Sequence, residues 1–186
     1  MVRFYTYLEV YLDNLGKSVS LSEFEGYFKT PHQTIKKHLE QFTKAKILKE
    51  EKKERFIFYK LNLENPITKE YLILCEKERL LNFLEKNALF SRLYHELSQF
   101  FKDSKILLFG SSVETKDYND IDLLILSKNK DIKQTLSKFD QTYKKNFHLI
   151  QTEEKGLTKT LIQEIKQKHI IFNNHEYFME VLYKWA

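Results

Sequence analysis

The first third of the chain combines short helical patterns with two β-prone segments. Apolar residues from Phe4 to Leu15 recur at helical spacing, which predicts a first helix that ends at Gly16. Ser20 or Ser22 can cap the next segment, LSEFEGYF, and a further helix is expected after it. The run ILKEEKKERFIFYKLNL then places two β-prone stretches around a charged turn, which predicts a hairpin. The expected order is therefore a helix, two helices joined by a turn, and a hairpin.

The middle of the chain carries two longer helical patterns. Asn65 and Pro66 interrupt the hairpin pattern and indicate a domain boundary. Apolar residues then recur at helical spacing from Thr68 to about Lys86, and again from about Ala88 to Phe101. The second helix is expected to cover a sheet, and the first can link two domains or pair with a second copy of the chain.

The remaining part is predicted to alternate strands and helices. The segment ILLF at residues 106–109 is uniformly apolar, as expected of a strand buried on both sides, and a second apolar strand follows the segment NDID. The later elements are expected to be a helix, the strand FHLIQ, a helix, the strand HIIF and a last helix, with the helices at 130–143, 157–168 and up to Trp185. This arrangement predicts an α+β fold.

Composition favours a folded protein. Hydrophobic residues make up 42% of the 186 positions and charged residues 31%, which is enough apolar material for real cores and excludes a disordered chain. The single cysteine, Cys75, cannot form an internal disulfide and is expected to be a buried structural thiol. The sequence contains neither a secretory signal pattern nor a stretch as long as a membrane span. We therefore expect a cytoplasmic protein without a membrane partner.

Positive charge is concentrated in the N-terminal third. The chain has a formal net charge of +5, whereas the segment from Lys29 to Lys60 alone holds ten basic and four acidic residues, a net charge of +6. In the predicted third helix the apolar positions face the core, and the outward face is polar and mostly basic. This helix could enter a major groove while the hairpin lies near phosphates, through the outward residues Gln33, Thr34, Lys36 and Lys37 of the helix and Lys52, Lys53 and Arg55 of the hairpin. The alternative is an ordinary solvated face on a protein-binding domain.

The N-terminal segment resembles the winged helix-turn-helix domains of small prokaryotic regulators. The resemblance covers roughly residues 3–63, with SLSEFEGYFKTPHQTIKKHLEQFTKAKIL in place of the usual pair of helices. It implies a winged helix-turn-helix domain at residues 1–65, followed by a linker helix at 66–87. Because helix-turn-helix proteins often bind two half-sites as dimers, a homodimer is one arrangement that the resemblance allows.

The strongest chemical signal is the segment LLFGSSVETKDYNDIDLLIL at residues 107–126. Gly110 lets backbone amides approach a ligand closely, and Ser111 and Ser112 add donors suited to phosphate oxygens. Side chains two apart on a strand leave the same face, so Asp120 and Asp122 can hold one divalent ion, Mg²⁺ or Mn²⁺. The alternative is a pair of aspartates that merely begins a strand beside solvent.

The phrases FGSS and NDIDLLIL resemble the nucleotidyltransferase motif of the DNA polymerase beta superfamily. The resemblance implies a minimal nucleotidyltransferase domain at residues 88–186, with a mixed C-terminal sheet and flanking helices. In it the Gly-Ser loop binds an NTP, and Asp120 and Asp122 bind paired metals. It also implies a third acid on a neighbouring strand. The spacer SVETKDYN departs from the family pattern because it lacks a second glycine and has Asn119 where serine usually precedes the first aspartate.

The expected third-acid strand, FHLIQ, contains no carboxylate. His148 within it can act as a metal ligand or general base or can simply be a packed residue, and Glu153 and Glu154 just beyond it are further candidates. Two functions therefore stay open. The chain is either a Mg-dependent enzyme that transfers a nucleoside monophosphate from an NTP to a hydroxyl acceptor, or a DNA-binding regulator or antitoxin-like partner protein with a catalytically degenerate nucleotide-binding domain.

Overall fold

A computed structural model describes residues 4–114, 118 and 120–185 of the chain. The chain divides into two compact units, of which the first comprises Met1–Glu78 with Met179–Ala186 and the second comprises Arg79–Phe178. The division falls inside the long helix α3 (Pro66–Lys86). The domain ranges expected from the sequence stay a prediction.

The first unit contains helices and one small sheet. A 3₁₀-helix comes first, and the elements that follow it up to α3 are β1 (Ser18–Ser20), α1 (Leu21–Phe28), α2 (His32–Lys44), β2 (Leu48–Lys53) and β3 (Phe56–Leu61). Strands β2 and β3 form the predicted hairpin, and β1 pairs with the other edge of β3, which gives an antiparallel sheet of order β1-β3-β2. Strand β1 was not predicted, because three residues with a single buried position, Val19, give almost no periodic signal.

The predicted first helix is present as a 3₁₀-helix and ends at Tyr11, before the expected Gly16. The structure has a 3₁₀-helix over Phe4–Tyr11, followed by turns held by backbone bonds such as Asn14 N–H to the Tyr11 carbonyl. The segment FYTYLEVY is rich in aromatic and β-branched residues, which lose side-chain freedom in an α-helix. The apolar spacing correctly identified the buried side of the segment but not its backbone type.

Helix α1 begins at a capping box, which selects between the two serines considered as caps. The Ser20 hydroxyl accepts from the Glu23 backbone N–H, and the Glu23 carboxylate accepts from the Ser20 backbone N–H at 2.7 Å. The carboxylate also accepts from the Ser20 hydroxyl at 2.8 Å. These bonds hold the pKa of Glu23 below its ordinary value.

A buried aromatic cluster forms much of the core of the first unit. Phe24 of α1 packs edge-on against Tyr11 and Tyr59, with ring centroids 6.0 and 6.3 Å away. The Tyr11 hydroxyl donates to the Tyr59 carbonyl at 2.7 Å, so the 3₁₀-helix is tied to β3 by a buried hydrogen bond. Cys75 is buried as expected, donates to the Tyr5 carbonyl at 3.0 Å, and has a thiol pKa raised by burial.

The second unit is built around a four-stranded sheet. Its elements after α3 are α4 (Ala88–Ser98), β4 (Lys105–Phe109), β5 (Asp120–Leu126), α5 (Asp131–Tyr143), β6 (Asn146–Thr152), α6 (Lys159–Gln167), β7 (His169–Ile171) and the start of α7 (His175–Lys184). The strand order is β6-β5-β4-β7, with β5 and β6 parallel and the other pairs antiparallel. The mixed α+β architecture expected for this region is present, and α4 ends three residues before the predicted Phe101.

The central strands of this sheet are the core of the second unit. Strands β4 and β5 are buried along nearly their whole length, and helices α4 and α5 contribute buried apolar residues to the same cluster. At one end of the sheet the buried Asn173 accepts from the Ile106 backbone N–H at 2.7 Å and donates to the Ser104 carbonyl at 2.8 Å. These bonds hold the start of β4, and the candidate site lies at the opposite end of that strand.

Candidate functional site

The predicted Gly-Ser turn lies directly after the buried strand β4. Gly110 has φ 76° and ψ −161°, a backbone conformation that is essentially restricted to glycine. A Cβ added at Gly110 would collide with Oδ2 of Asp122 and lie 3.0 Å from its Cγ. Glycine is therefore required at position 110 for two reasons, its backbone angles and the close approach of the Asp122 carboxylate.

The two aspartates begin strand β5 beside this turn. Asp120 is exposed and the buried Ile121 points to the other face, so Asp120 and Asp122 leave the same face, as the spacing predicted. The Asp122 side chain is 23% exposed and lies opposite Phe109 in the antiparallel register. Two carboxylates thus lie at the solvent-facing end of an otherwise buried strand.

His148 occupies the neighbouring position on β6. The parallel register pairs Asp122 with His148 and Asp120 with Asn146. Nδ1 of His148 lies 2.9 Å from Oδ1 of Asp122, and the His148 side chain is 65% exposed. The histidine singled out in the sequence is thus a direct partner of the second aspartate rather than a packed residue.

Glu153 and Glu154 do not lie near the aspartates. Both follow the opposite end of β6 from His148, which corresponds to about 16 Å along the strand at the usual rise per residue. Glu153 pairs with Lys128 at 3.3 Å, and Glu154 pairs with Lys105 at 2.8 Å. Neither glutamate can therefore supply a third carboxylate to the site in this arrangement.

The two serines of the turn differ in exposure. Ser111 is exposed at the start of a 3₁₀ turn, Ser111–Val113, whereas Ser112 is only 2% exposed. Of the two hydroxyls only that of Ser111 lies at the surface, while that of Ser112 is buried without a hydrogen-bond partner among the described atoms. The spacer residues 115–117 and Asn119, which depart from the family pattern, lie outside the described residues.

Two residues beside the aspartates were not predicted from the sequence. Lys145 immediately precedes β6, and its ammonium lies 4.6 Å from the centre of the Tyr118 ring, which also packs against Phe90. Burial raises the pKa of the Tyr118 hydroxyl. The sequence feature that could have identified Tyr118 is its position, since it is an aromatic residue two positions before Asp120. Together they place one positive charge and one aromatic face at this end of the sheet.

The described residues contain no group of three or more His, Cys, Asp or Glu side chains close enough to hold a metal ion by themselves. The donors at the site are instead the carboxylates of Asp120 and Asp122. Mg²⁺ is commonly held in proteins by one or two carboxylates together with substrate phosphates and water. The donor set therefore fits an ion that arrives with a phosphate ligand at the Gly110 turn.

A large basic cavity lies at the other end of the β5–β6 pair. It has a volume of about 780 Å³ and is lined by four lysines, Lys128, Lys130, Lys133 and Lys155. Strand β5 separates it from Asp120 by about 20 Å at the usual rise per residue. This cavity and the acidic pair are therefore distinct, and we place the candidate site at the acidic pair because of its side-chain chemistry.

The predicted nucleic-acid-binding residues all lie on the surface of the first unit. Ile35, Leu39 and Phe42 of α2 are buried, so its outward face carries the exposed residues Gln33, Thr34, Lys36 and Lys37. Lys52 and Lys53 end β2, and Arg55 lies in the turn before β3. Lys53 and Arg55 also lie over aromatic rings, at 5.5 Å from the Phe58 centroid and 5.1 Å from the Phe56 centroid. The basic surface therefore includes exposed aromatic area at the hairpin tip.

Comparison with known families finds one similarity, in the C-terminal part of the chain. Residues 90–179, just under half of the chain, match the model of the nucleotidyltransferase domain. No curated protein and no solved structure matches the chain significantly. The matched segment contains both the Gly110 turn and the two aspartates, so the match supports nucleotidyl transfer in general. Among the described helices, none is both long and apolar enough to cross a membrane.

Proposed function

Because residues 90–179 match a nucleotidyltransferase domain, we propose that the chain transfers a nucleoside monophosphate from an NTP to a hydroxyl acceptor, with Mg²⁺ or Mn²⁺ as cofactor. The observation that carries the proposal is the approach of Asp122 to Gly110, which no other residue at position 110 permits. It brings a carboxylate to a backbone turn suited to phosphate oxygens. An aspartate pair that merely began a strand would not require this glycine.

Each residue of the site has a role in this proposal. The Gly110 turn, with the exposed Ser111 hydroxyl and the backbone of Ser112, binds the triphosphate, and Asp120 and Asp122 hold the divalent ion. When bound, the ion neutralises phosphate charge and orients the triphosphate. The acceptor oxygen bonds to the α-phosphorus while the bond from that phosphorus to the β-phosphate oxygen breaks. Pyrophosphate leaves, and the hydroxyl proton passes to solvent.

Transfer can be tested with labelled ATP, CTP, GTP and UTP, Mg²⁺ and a panel of hydroxyl acceptors that includes RNA, proteins and small molecules. We expect label to appear in one acceptor, and the Asp120→Asn/Asp122→Asn double variant to lose transfer by at least about a hundredfold, since both metal-binding charges are removed. Asp103→Asn, a change at an exposed aspartate outside the site, is the matched control. Full activity in the double variant would contradict the proposal.

For the N-terminal part we propose a winged helix-turn-helix domain at residues 1–65 that binds nucleic acid, joined by a linker helix at 66–87 to a nucleotidyltransferase-like domain at 88–186. The proposal is supported by the order β1, α1, α2, hairpin and by the basic outward face of α2. Duplex binding should weaken steeply as salt rises, and the Lys36→Ala/Lys37→Ala/Arg55→Ala variant should bind more weakly with a shallower salt dependence. Undetectable or salt-insensitive binding would count against it.

A second candidate function is favoured by the lack of any carboxylate on β6. In this alternative the chain is a DNA-binding regulator or antitoxin-like partner protein, and its catalytically degenerate C-terminal domain only binds nucleotide. It shares the nucleotide site and the nucleic-acid surface with the first candidate and differs in turnover. Nucleotide and duplex binding without transfer to any acceptor in the panel would favour the second candidate.

A further inference from the structure

The hydrogen bond between His148 and Asp122 determines which carboxylate oxygen of Asp122 faces the protein. Nδ1 of His148 lies 2.9 Å from Oδ1 of Asp122, directly across the parallel β5–β6 register. In the tautomer that carries a proton on Nδ1, the imidazole donates to this oxygen. A hydrogen bond to a carboxylate is among the stronger hydrogen bonds in proteins. One of the two Asp122 oxygens is therefore already engaged by the protein.

The second carboxylate oxygen of Asp122, Oδ2, has different neighbours. Oδ2 faces Gly110 so closely that a Cβ at that position would collide with it. This oxygen is therefore directed toward the turn where we place the triphosphate. Together with Asp120 it can hold one ion against the phosphates, as Mg²⁺ sites with two carboxylates commonly do.

A second ion would need ligands that the described residues do not offer. Two-metal phosphoryl-transfer sites place their ions about 3.5–4 Å apart, and a carboxylate can join two such ions by directing one oxygen to each. Oδ1 of Asp122 is engaged by His148, β6 contains no carboxylate, and Glu153 and Glu154 pair with lysines at the far end of the strand.

We infer that His148 is a positioning residue that holds Asp122 through Oδ1 and thereby limits the site to one divalent ion. The inference rests on the proposed function, because it presumes that Asp120 and Asp122 bind a metal. It predicts that the identity of residue 148 sets the metal count. An acid at position 148 would remove the donor, free Oδ1 and add a carboxylate on the neighbouring strand.

Two substitutions of nearly the same shape, His148→Asn and His148→Asp, differ in whether residue 148 donates a hydrogen bond or offers a carboxylate. The amide of His148→Asn can still donate to Oδ1, whereas the carboxylate of His148→Asp cannot and is a metal ligand itself. Because the His148 side chain is mostly exposed, both variants are expected to fold, which circular dichroism can verify. His95→Asp, at an exposed histidine of α4, adds the same charge elsewhere and is the matched control.

The experiment is electron paramagnetic resonance of the full chain with Mn²⁺ and inorganic triphosphate, a probe that requires no knowledge of the base. The wild type, His148→Asn and His95→Asp should show protein-bound Mn²⁺ with the hyperfine pattern of an isolated ion. His148→Asp should show an exchange-coupled pair, and equilibrium dialysis should find twice as much bound Mn²⁺. Asp120→Asn/Asp122→Asn should abolish protein-bound Mn²⁺ in either background.

Failure of the inference differs from failure of the proposed function. A coupled pair in the wild type, or only an isolated ion in a folded His148→Asp variant, would overturn the role of His148 while leaving the metal site intact. If no variant binds Mn²⁺ with triphosphate, the metal site itself is wrong, and both the inference and the proposed cofactor are overturned.

Discussion

Strand β5 of the second unit is buried at five of its seven positions, all but Asp120 and Asp122, whereas strand β2 of the first unit exposes five of its six residues. The acidic site lies where β5 emerges from the core, so neighbouring strands and Gly110 hold its side chains in place. The basic residues of β2 and α2 are exposed, and their contacts are surface ones, such as Lys36 to Glu40 at 4.0 Å and Lys53 to Glu51 at 3.5 Å. We therefore expect metal binding at the acidic site to be sensitive to the addition of a single atom. Duplex binding by the basic surface should instead weaken gradually as positive charges are removed.

The sharpest test of this contrast is a single added methyl group at two glycines. Gly110→Ala should abolish detectable binding of Mn²⁺ with triphosphate, because the new Cβ displaces the Asp122 carboxylate, and should destabilise the chain by about 1–3 kcal/mol through backbone strain. Gly26→Ala, in the middle of α1 with no atom near the added Cβ, should instead stabilise it by about 0.5–1 kcal/mol. Isothermal titration and urea denaturation give both readouts. Equal effects of the two substitutions on metal binding and stability would contradict the expected difference between the two regions.

A second comparison uses one asparagine from each unit. Asn173→Ala removes a buried side chain that bonds three backbone groups, at Ile106, Ser104 and Phe101, and should cost about 2–4 kcal/mol because those groups lose their partners. Asn62→Ala removes an exposed bond to the Lys46 carbonyl and should cost less than about 1 kcal/mol. Free energies of unfolding from urea titration measure both. A larger loss for Asn62→Ala would contradict the expectation that the buried Asn173 side chain contributes more to stability than the Asn62 side chain.

Duplex binding by the basic surface is expected to weaken in small steps as positive charges are removed. Removing Lys52 and Lys53 should lower the slope of log K against log salt by about one for each lost phosphate contact. Gln33→Ala should leave the slope unchanged and alter discrimination among duplex sequences, because base edges specify sequence and phosphates do not. Fluorescence anisotropy at several salt concentrations separates the two effects. Lys138→Ala, at an exposed lysine of α5, is the control and should not change the slope.

The smallest expected effect is at the cap of α1. Ser20→Ala should cost about 1 kcal/mol. Because the folded pKa of Glu23 lies below its unfolded value, the carboxylate contributes stability above the unfolded value, near 4.5, and this contribution is lost as pH falls through the folded pKa. The contribution is small because the group is exposed. The stability difference between wild type and Glu23→Gln should therefore disappear in acid, and a difference that persists there would exclude the carboxylate as its cause.

Local periodicity accounts for the features that could be predicted. Side chains alternate along a strand and repeat every 3.6 residues along a helix, so the common face of Asp120 and Asp122 and the outward face of Lys36 and Lys37 follow from spacing alone. The hairpin followed from its β-prone runs around a charged turn. The same reasoning did not specify the helix type of the segment from Phe4, because burial of one side is common to α- and 3₁₀-helices and the backbone type depends on aromatic and β-branched content.

Neighbours distant in sequence account for the rest. The contact between His148 and Asp122 depends on the register of two parallel strands joined through α5, and no local pattern specifies that register. The positions of Glu153 and Glu154 also depended on it. From spacing alone these glutamates were candidates for the third acid, yet the sheet carries them to the opposite end of β6. The sequence by itself was sufficient to identify a Gly-Ser turn, an acidic pair and the lack of a carboxylate in FHLIQ, whereas strand pairing determined that the imidazole of His148 lies beside Asp122.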